Sequence, residues 1–489
     1  MRSSGILMHI TSLPGPYGIG TMGKQAYAFV DFLKSAGQHY WQILPLCPTG
    51  YGNSPYQCCS TFAGNHFLID LDLLAEEGLL KPEEPAAYSW SDRESFVDFG
   101  LQYDYRLRVL RLAYDRFPGS AEFDAFCLEN GSWLKDYALF MALKERSGGN
   151  AWYDWEEGLR FRRPDAVQTA RRELEDPIRF HCFVQYLFFR QWNALHAYAA
   201  KQGVDIIGDV PIYVPLDSAD VWTNPEQFWL DEKLDPVAVA GCPPDAFTAD
   251  GQLWGNPLYR WQELKQTGYD WWLRRLSAAG KLYDVIRLDH FRGFESYWAV
   301  PYGDKTARNG KWMKGPGVDF ITALKRELPQ LRLIAEDLGY LTREVLELRE
   351  LSGWPGMKVL EFAFDSKEPS DYLPHTYEKN TVCYTGTHDN MTMRQWFDTA
   401  DADTLAYARE YMTLSDREGY VWGTVRTAFA SVSDTCIVQM QDLLDLGAEA
   451  RMNLPGSLSD ANWTWRAETK HFTPELAMRL KKLTELYAR

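Results

Sequence analysis

Three segments in the second half of the chain each close an apolar run with an acid. They are V-I-R-L-D-H-F-R-G at 285–293, L-I-A-E-D-L-G at 333–339 and V-C-Y-T-G-T-H-D-N at 382–390. Short apolar runs closed by a turn read as buried strands of a parallel sheet. In open or barrel α/β folds the chemistry sits at the carboxyl ends of such strands. The runs therefore deliver Asp289, Glu336 and Asp389 to one end of a sheet, with Arg287 and His388 beside them. Side chains at i and i+2 on a strand share a face. The Arg287 cation thus sits beside Asp289, favours its ionised form and orients it. An ionised, positioned carboxylate serves as a nucleophile. Glu336, at the edge of an apolar layer and facing another carboxylate, should hold its proton to higher pH, as a general acid must. Its neighbour Asp337 is the rival. Strand alternation turns only one of the two toward the mouth and does not say which; the other is free to cap the following helix. A carboxylate nucleophile with a carboxylic general acid is the arrangement for glycosidic bonds, and in retaining enzymes the two groups stand roughly 5 Å apart.

Other chemistries find no support. No H-x-x-x-H or H-x-H pair occurs, so no metal site is expected and His388-Asp389 has no ligand partners of suitable spacing. There is no G-x-S-x-G nucleophile elbow and no phosphate-binding G-x-x-x-x-G-K-[ST] loop. No organic cofactor is expected.

The elements that position these acids can be read from the alternation of short apolar runs with helical patterns. Eight strand candidates recur, at 6–9, 41–46, 205–209, 285–289, 331–336, 359–364, 381–384 and 435–440. Helical periodicity lies at 25–36, 183–201, 261–279 and 320–327, and a last helix is predicted over 474–487. Eight strand–helix units predict a (β/α)8 TIM barrel as a single catalytic chain. Strands two and three are separated by far more than the few residues usual in α/β connections. Residues 50–180 are therefore expected to form an inserted, mostly helical subdomain. A second long connection, 212–260, is rich in Pro, Gly, Asp and Trp and lacks clear periodicity. Long loops inside a compact domain are usually functional, and this one is expected to form a lid over the carboxyl-terminal face.

Bulk composition narrows the partners. The chain has 489 residues and a formal net charge of −16, which disfavours nucleic acid or an anionic membrane surface. Aromatic content of 15% suits a ligand with apolar C–H faces, such as a sugar ring. Eight cysteines occur without a C-x-x-C pair, the start lacks a signal-peptide apolar region, and no run of about 18 apolar residues exists. A cytoplasmic protein with free thiols, no membrane span and no obligate protein partner is expected. The most apolar stretch, 178–189, is broken by Arg179, His181 and Gln185 and reads as a buried helix.

A set of colinear segments goes further. They are S-L-P-G-P-Y-G-I-G-T at 12–21, Q-I-L-P-L at 42–46, G-N-S-P-Y-Q at 52–57, G-D-V-P-I-Y-V at 208–214 and P-P-D-A-F-T-A-D-G-Q-L-W-G-N-P-L-Y at 243–259. R-L-D-H-F-R-G at 287–293, A-E-D-L-G at 335–339, G-T-H-D-N at 386–390 and R-M-N-L-P-G at 451–456 continue the series. With these, the chain resembles the 4-alpha-glucanotransferases (amylomaltases, or disproportionating enzymes) of the glycoside hydrolase family 77 type, relatives of the α-amylases. The resemblance spans essentially the whole chain. It implies transfer of α-1,4-glucan segments from a donor to the 4-hydroxyl of another glucan, maltooligosaccharide or glucose, with retention and without a metal. It implies Asp289 as nucleophile and Glu336, not Asp337, as acid/base. Asp389 would hold sugar hydroxyls and stabilise the distorted ring, with His388 on the same sugar. Arg287 would keep Asp289 ionised, and Asp209 would support the site. Tyr56 would stack on the donor sugar, Asp245 and Trp254 would lie near the glucan on an arching loop, and Tyr51 would belong to a second glucan-binding patch. The competing expectations are an amylase-like hydrolase and a non-catalytic glucan-binding protein on the same fold.

Overall fold

In this computed structural model the described residues are 2–50, 52–244, 248–339, 341–364 and 370–489. Eight parallel strands form one sheet: β1 (Ser3–Leu7), β2 (Tyr40–Gln42), β3 (Asp205–Val210), β4 (Val285–Leu288), β5 (Leu333–Ala335), β6 (Gly356–Val359), β7 (Thr381–Tyr384) and β8 (Thr435–Gln439). Neighbours in chain order pair from β1 to β5 and from β6 to β8, and β8 returns to β1 in register from Ser3↔Thr435 to Leu7↔Gln439. The remaining seam, between β5 and β6, is drawn together by Ala335 N–H donating to Pro355 O at 2.9 Å. The sheet is thus a (β/α)8 barrel. Its strands are short and almost wholly buried, which is why they read as apolar runs rather than alternating ones.

The outer helices show the amphipathic spacing that made them legible. Lys24–Ser35 buries Ala26, Phe29, Val30 and Leu33, at i, i+3, i+4 and i+7. Burial of one such Phe or Leu contributes about 1.5–3 kcal/mol. The apolar stretch at 178–189 lies inside the long helix Glu175–Gln202, with Phe183, Leu187 and Phe188 fully buried. Between β2 and β3 the chain carries helices Leu71–Glu76, Phe99–Arg116, Ala121–Glu129, Leu134–Arg146 and Pro164–Glu173.

Three elements differ from the sequence reading. The sixth strand is Gly356–Val359, not 359–364. The apolar residues after it form a 3-10 turn, Leu360–Phe362, and bury Leu360, Ala363 and Phe364 against other elements. Apolarity there marks core contact, not extended backbone. The helix predicted over 261–279 is two helices, Trp261–Gln266 and Asp270–Leu282. Gly268 and Tyr269 both take positive φ, 66° and 63°, and break the first helix before the second begins. The 212–260 connection is not an open loop throughout. Ala238–Cys242 and Gln252–Pro257 pair antiparallel, and with Ser296–Pro301 and Lys311–Lys314 they form a separate four-stranded sheet. Its strands are rich in Gly, Ala, Pro and Lys, so propensity hid them.

Candidate active site

The acids come from consecutive barrel strands and from one more distant in barrel order. Asp209 is next to last in β3; Asp289 follows β4 and Glu336 follows β5 directly. The ends are tied together: Asp289 N–H donates to Val210 O at 3.1 Å, and Glu336 N–H to Leu288 O at 3.0 Å. Asp389 lies on the loop after β7.

Arg287 is the hub. In the β3–β4 register it sits opposite Asp209. Its Nη1 donates to Asp209 Oδ2 at 2.7 Å and to Asp289 Oδ1 at 3.0 Å. One guanidinium thus joins two carboxylates, and the i, i+2 relation of Arg287 and Asp289 holds as expected from strand geometry. Desolvation opposes the Arg287 charge, but Asp209 and Asp289 outweigh it and hold the group protonated. Burial pushes Asp209 up to about 7, although Arg287 draws it back. Tyr56 Oη donates to the same Asp209 oxygen at 2.8 Å, and Asp209 Oδ1 is buried with no hydrogen-bond partner among the described residues.

Glu336 and Asp337 point to opposite sides of the barrel wall. Glu336 Oε2 accepts from His290 N–H at 2.7 Å and Oε1 from Leu338 N–H at 3.0 Å. His290 adopts the left-handed region, φ 51°, and this turns the chain after Asp289 so that its N–H meets Glu336. Burial pushes Glu336 up to about 8; the Asp289 charge adds to that, while Arg287 and the two backbone donors oppose it. Asp337 accepts from Met357 N–H at 2.7 Å and lies 3.4 Å from Arg349 Nε. A Cβ on Gly356 would come within 2.3 Å of its carboxylate, so the next strand keeps a glycine there. Asp337 therefore braces the β5–β6 seam from outside. Asp337→Ala is expected to lower the melting temperature, since a buried donor left unpaired costs about 1–3 kcal/mol. It should leave kcat/KM within about threefold of wild type, less than 1 kcal/mol of barrier. A loss of activity at unchanged stability would contradict this assignment.

His388 lies under Tyr56, with ring centroids 4.9 Å apart and planes 19° from parallel. Burial lowers its pKa, so it is neutral near pH 7. Its Nε2 is 3.4 Å from Asp389 Oδ1. Asp389 is the most open of the acids, with 45% of its side chain exposed. Three contributors here were not assigned from sequence. Asn453 Nδ2 donates to Asp389 Oδ1 at 2.6 Å, Arg451 Nη2 donates to Asp389 O at 2.8 Å, and Trp463 packs near both Tyr56 and His388. Arg451 and Asn453 belong to the R-M-N-L-P-G segment, and its distance in sequence from Asp389 hides the contact.

Trp254 is half-buried on the small sheet. Its Nε1 donates to Gln252 Oε1 at 3.1 Å, and its ring meets His290 edge-on at 4.9 Å. It therefore stands beside the turn that carries Asp289. Tyr51 and Asp245 lie outside the described residues. Among the described residues, no group of three or more His, Cys, Asp or Glu could hold a metal ion, and no helix is long and apolar enough to cross a membrane.

Comparison with known proteins gives the family. Residues 8–471 match the sequence model of the glycoside hydrolase family 77 described as 4-alpha-glucanotransferase. The chain is 49% identical over 486 residues to a 4-alpha-glucanotransferase of Clostridium butyricum, covering 99% of this chain and 100% of the relative. It is 46% identical over 497 residues to one from Thermus thermophilus, covering 99% and 98%. Among solved structures, amylomaltase from Streptococcus agalactiae in complex with acarbose superposes with a TM-score of 0.98 at 42% identity, covering 100% of both chains.

Proposed function

The chain belongs to the glycoside hydrolase family 77 4-alpha-glucanotransferases, and we propose that Asp289, Glu336 and Asp389 carry its transfer reaction. It is an enzyme acting on α-1,4-glucans. The observation that supports the residue roles best is the shared guanidinium: Arg287 joins Asp209 and Asp289 while Glu336, on the next strand end, is held toward its protonated form.

In the first displacement a donor glucan lies across the strand ends. The Asp289 carboxylate attacks the anomeric carbon, and Glu336 gives its proton to the departing glycosidic oxygen. The released piece is a glucan with a new 4-hydroxyl; the retained piece is an ester of Asp289. In the second displacement the 4-hydroxyl of an acceptor glucan, maltooligosaccharide or glucose attacks that ester. Glu336, now a carboxylate, takes the hydroxyl proton, and Asp289 leaves. Two inversions give retention. Asp389, oriented by Asn453 and beside neutral His388, accepts hydroxyl hydrogen bonds that tighten as the ring flattens and gains positive charge. Tyr56 presents its ring to the donor sugar while its hydroxyl keeps Asp209 in place. The acarbose complex of the S. agalactiae amylomaltase supports an α-glucan as occupant of the cleft.

Transfer rather than hydrolysis requires that a sugar hydroxyl reaches the ester before water does. We assign part of that preference to Trp254, whose ring flanks the Asp289 turn and offers an acceptor sugar a stacking face. On maltotriose the enzyme should release glucose and build a ladder of longer maltooligosaccharides, while total reducing ends stay nearly constant. Trp254→Ala should lower transfer relative to hydrolysis by about tenfold, the size of one lost stacking contact of roughly 1–3 kcal/mol by analogy with base stacking. Both activities falling in proportion, together with the melting temperature, would show that Trp254 only packs. Reducing ends climbing from the start with wild type would overturn the transferase reading in favour of a hydrolase.

A further inference from the structure

The four-stranded sheet ends on the edge strand Lys311–Lys314, which places Trp312 directly opposite Trp298. Trp312 is 44% exposed, yet its ring is held still. The Trp298 ring meets it at 5.2 Å and 67°. Arg292 Cζ lies 4.0 Å from its centroid, over one face. Both supports are themselves fixed. Trp298 Nε1 donates to Ala307 O at 2.8 Å, and a Cβ on Gly310 would come within 2.1 Å of that nitrogen, so the indole is clamped beneath the Gly310 backbone. Arg292 is buried and reaches Ser296 Oγ at 3.5 Å. An edge strand normally carries charge to discourage pairing, as Lys311 and Lys314 do here. A large, braced, half-open indole between those lysines has no such use.

Its place in the molecule points to the occupant. Arg292 is three residues beyond Asp289, and three residues of chain span at most about 11 Å. The same turn carries His290, against whose ring Trp254 stands at 4.9 Å. Trp254 meets His290 and Trp312 meets Arg292, so the indoles of the sheet's two edge strands both abut the turn that follows Asp289. We propose that Trp312 is an accessory stacking platform for the α-glucan chain, extending the cleft beyond the sugars that flank the cleaved linkage. One ring face is covered by the guanidinium and the exposed area is left for the apolar C–H face of a glucose unit. Because the ring is already immobilised, little side-chain freedom is lost when a sugar lands on it. The inference rests on the glucan-transfer reading and names which substrates it favours: chains long enough to span from Asp289 to Trp312.

The test compares kcat/KM for maltotriose, maltopentaose and maltoheptaose. In wild type, kcat/KM should rise with chain length. In Trp312→Ala the ratio for maltoheptaose over maltotriose should fall by about tenfold, as for loss of one stacking contact, and mainly through KM. Trp312→Phe keeps a ring face and should recover most of the ratio. A length ratio unchanged in Trp312→Ala, or a uniform loss at all lengths with a lowered melting temperature that Trp312→Phe shares, would overturn the platform. Failure of the underlying function would appear differently, as absence of transfer in wild type itself.

Discussion

Asp289→Asn should abolish transfer, with a loss on the order of 10⁴–10⁶-fold, the range for deleting a covalent nucleophile. At about 1.4 kcal/mol per factor of ten, that is roughly 5.5–8 kcal/mol of transition-state stabilisation. The amide keeps the shape of the carboxylate and can still accept from Arg287 Nη1, which stands 3.0 Å from Oδ1. Asp209 remains as counter-charge at 2.7 Å. The fold should therefore persist, with a melting temperature near that of wild type. Purified Asp289→Asn retaining more than about a tenth of wild-type transfer, a change worth under 1.4 kcal/mol, would show that another group attacks the sugar.

Glu336→Gln should be nearly as damaging with ordinary glucans and far less so with a donor whose leaving group needs no proton. With maltooligosaccharides both displacements lose their proton relay, and a loss of about 10²–10⁴-fold is expected for a general acid–base group. With an α-maltosyl fluoride the first displacement should survive. The pH profile checks the same assignment. The Glu336 carboxyl is pushed up to about 8 by burial and by the Asp289 charge. The reacting form in the first step is the protonated one, so wild-type transfer between glucans should decline as pH rises through about 8. For the fluoride donor the formation of the glycosyl-enzyme should lack that alkaline decline. Equal damage by Glu336→Gln for both donors would point to a structural role.

The barrel was legible because a parallel strand covered on both faces must be apolar along its length, and chemistry is delivered where the run stops. Val285–Leu288 and Thr381–Tyr384 are entirely buried; the second ends as the sequence predicts and the first one residue sooner. Asp289 and Arg287 come together on one face as alternation requires. Pattern failed where apolarity served something other than a strand. Residues 360–364 are as apolar as their barrel neighbours but pack as a turn. The small antiparallel sheet, rich in Gly, Pro and Lys, left no period to read, although it carries Trp254 and Trp312. The Glu336–Asp337 choice could not be made from alternation alone. It is fixed locally by a left-handed His290 and a glycine at 356, neither of which signals its contact in sequence. Asn453 and Arg451 were hidden for another reason: they reach Asp389 from more than 60 residues away in the chain, and only the closed barrel brings them near.

In the proposed reaction Asp289 forms a covalent bond to the donor sugar while Glu336 moves the proton. Glu336→Gln incubated with α-maltosyl fluoride, quenched in acid, digested and analysed by mass spectrometry tests it most directly. Formation of the glycosyl-enzyme is then faster than its breakdown, because the acceptor hydroxyl lacks its base. One maltosyl unit should accumulate on the peptide containing Asp289, with the ester on Asp289 itself, and Asp289→Asn in the same background should remove it. An adduct on Asp389 or Asp337, or fluoride release at the wild-type rate with no adduct on any peptide, would contradict it.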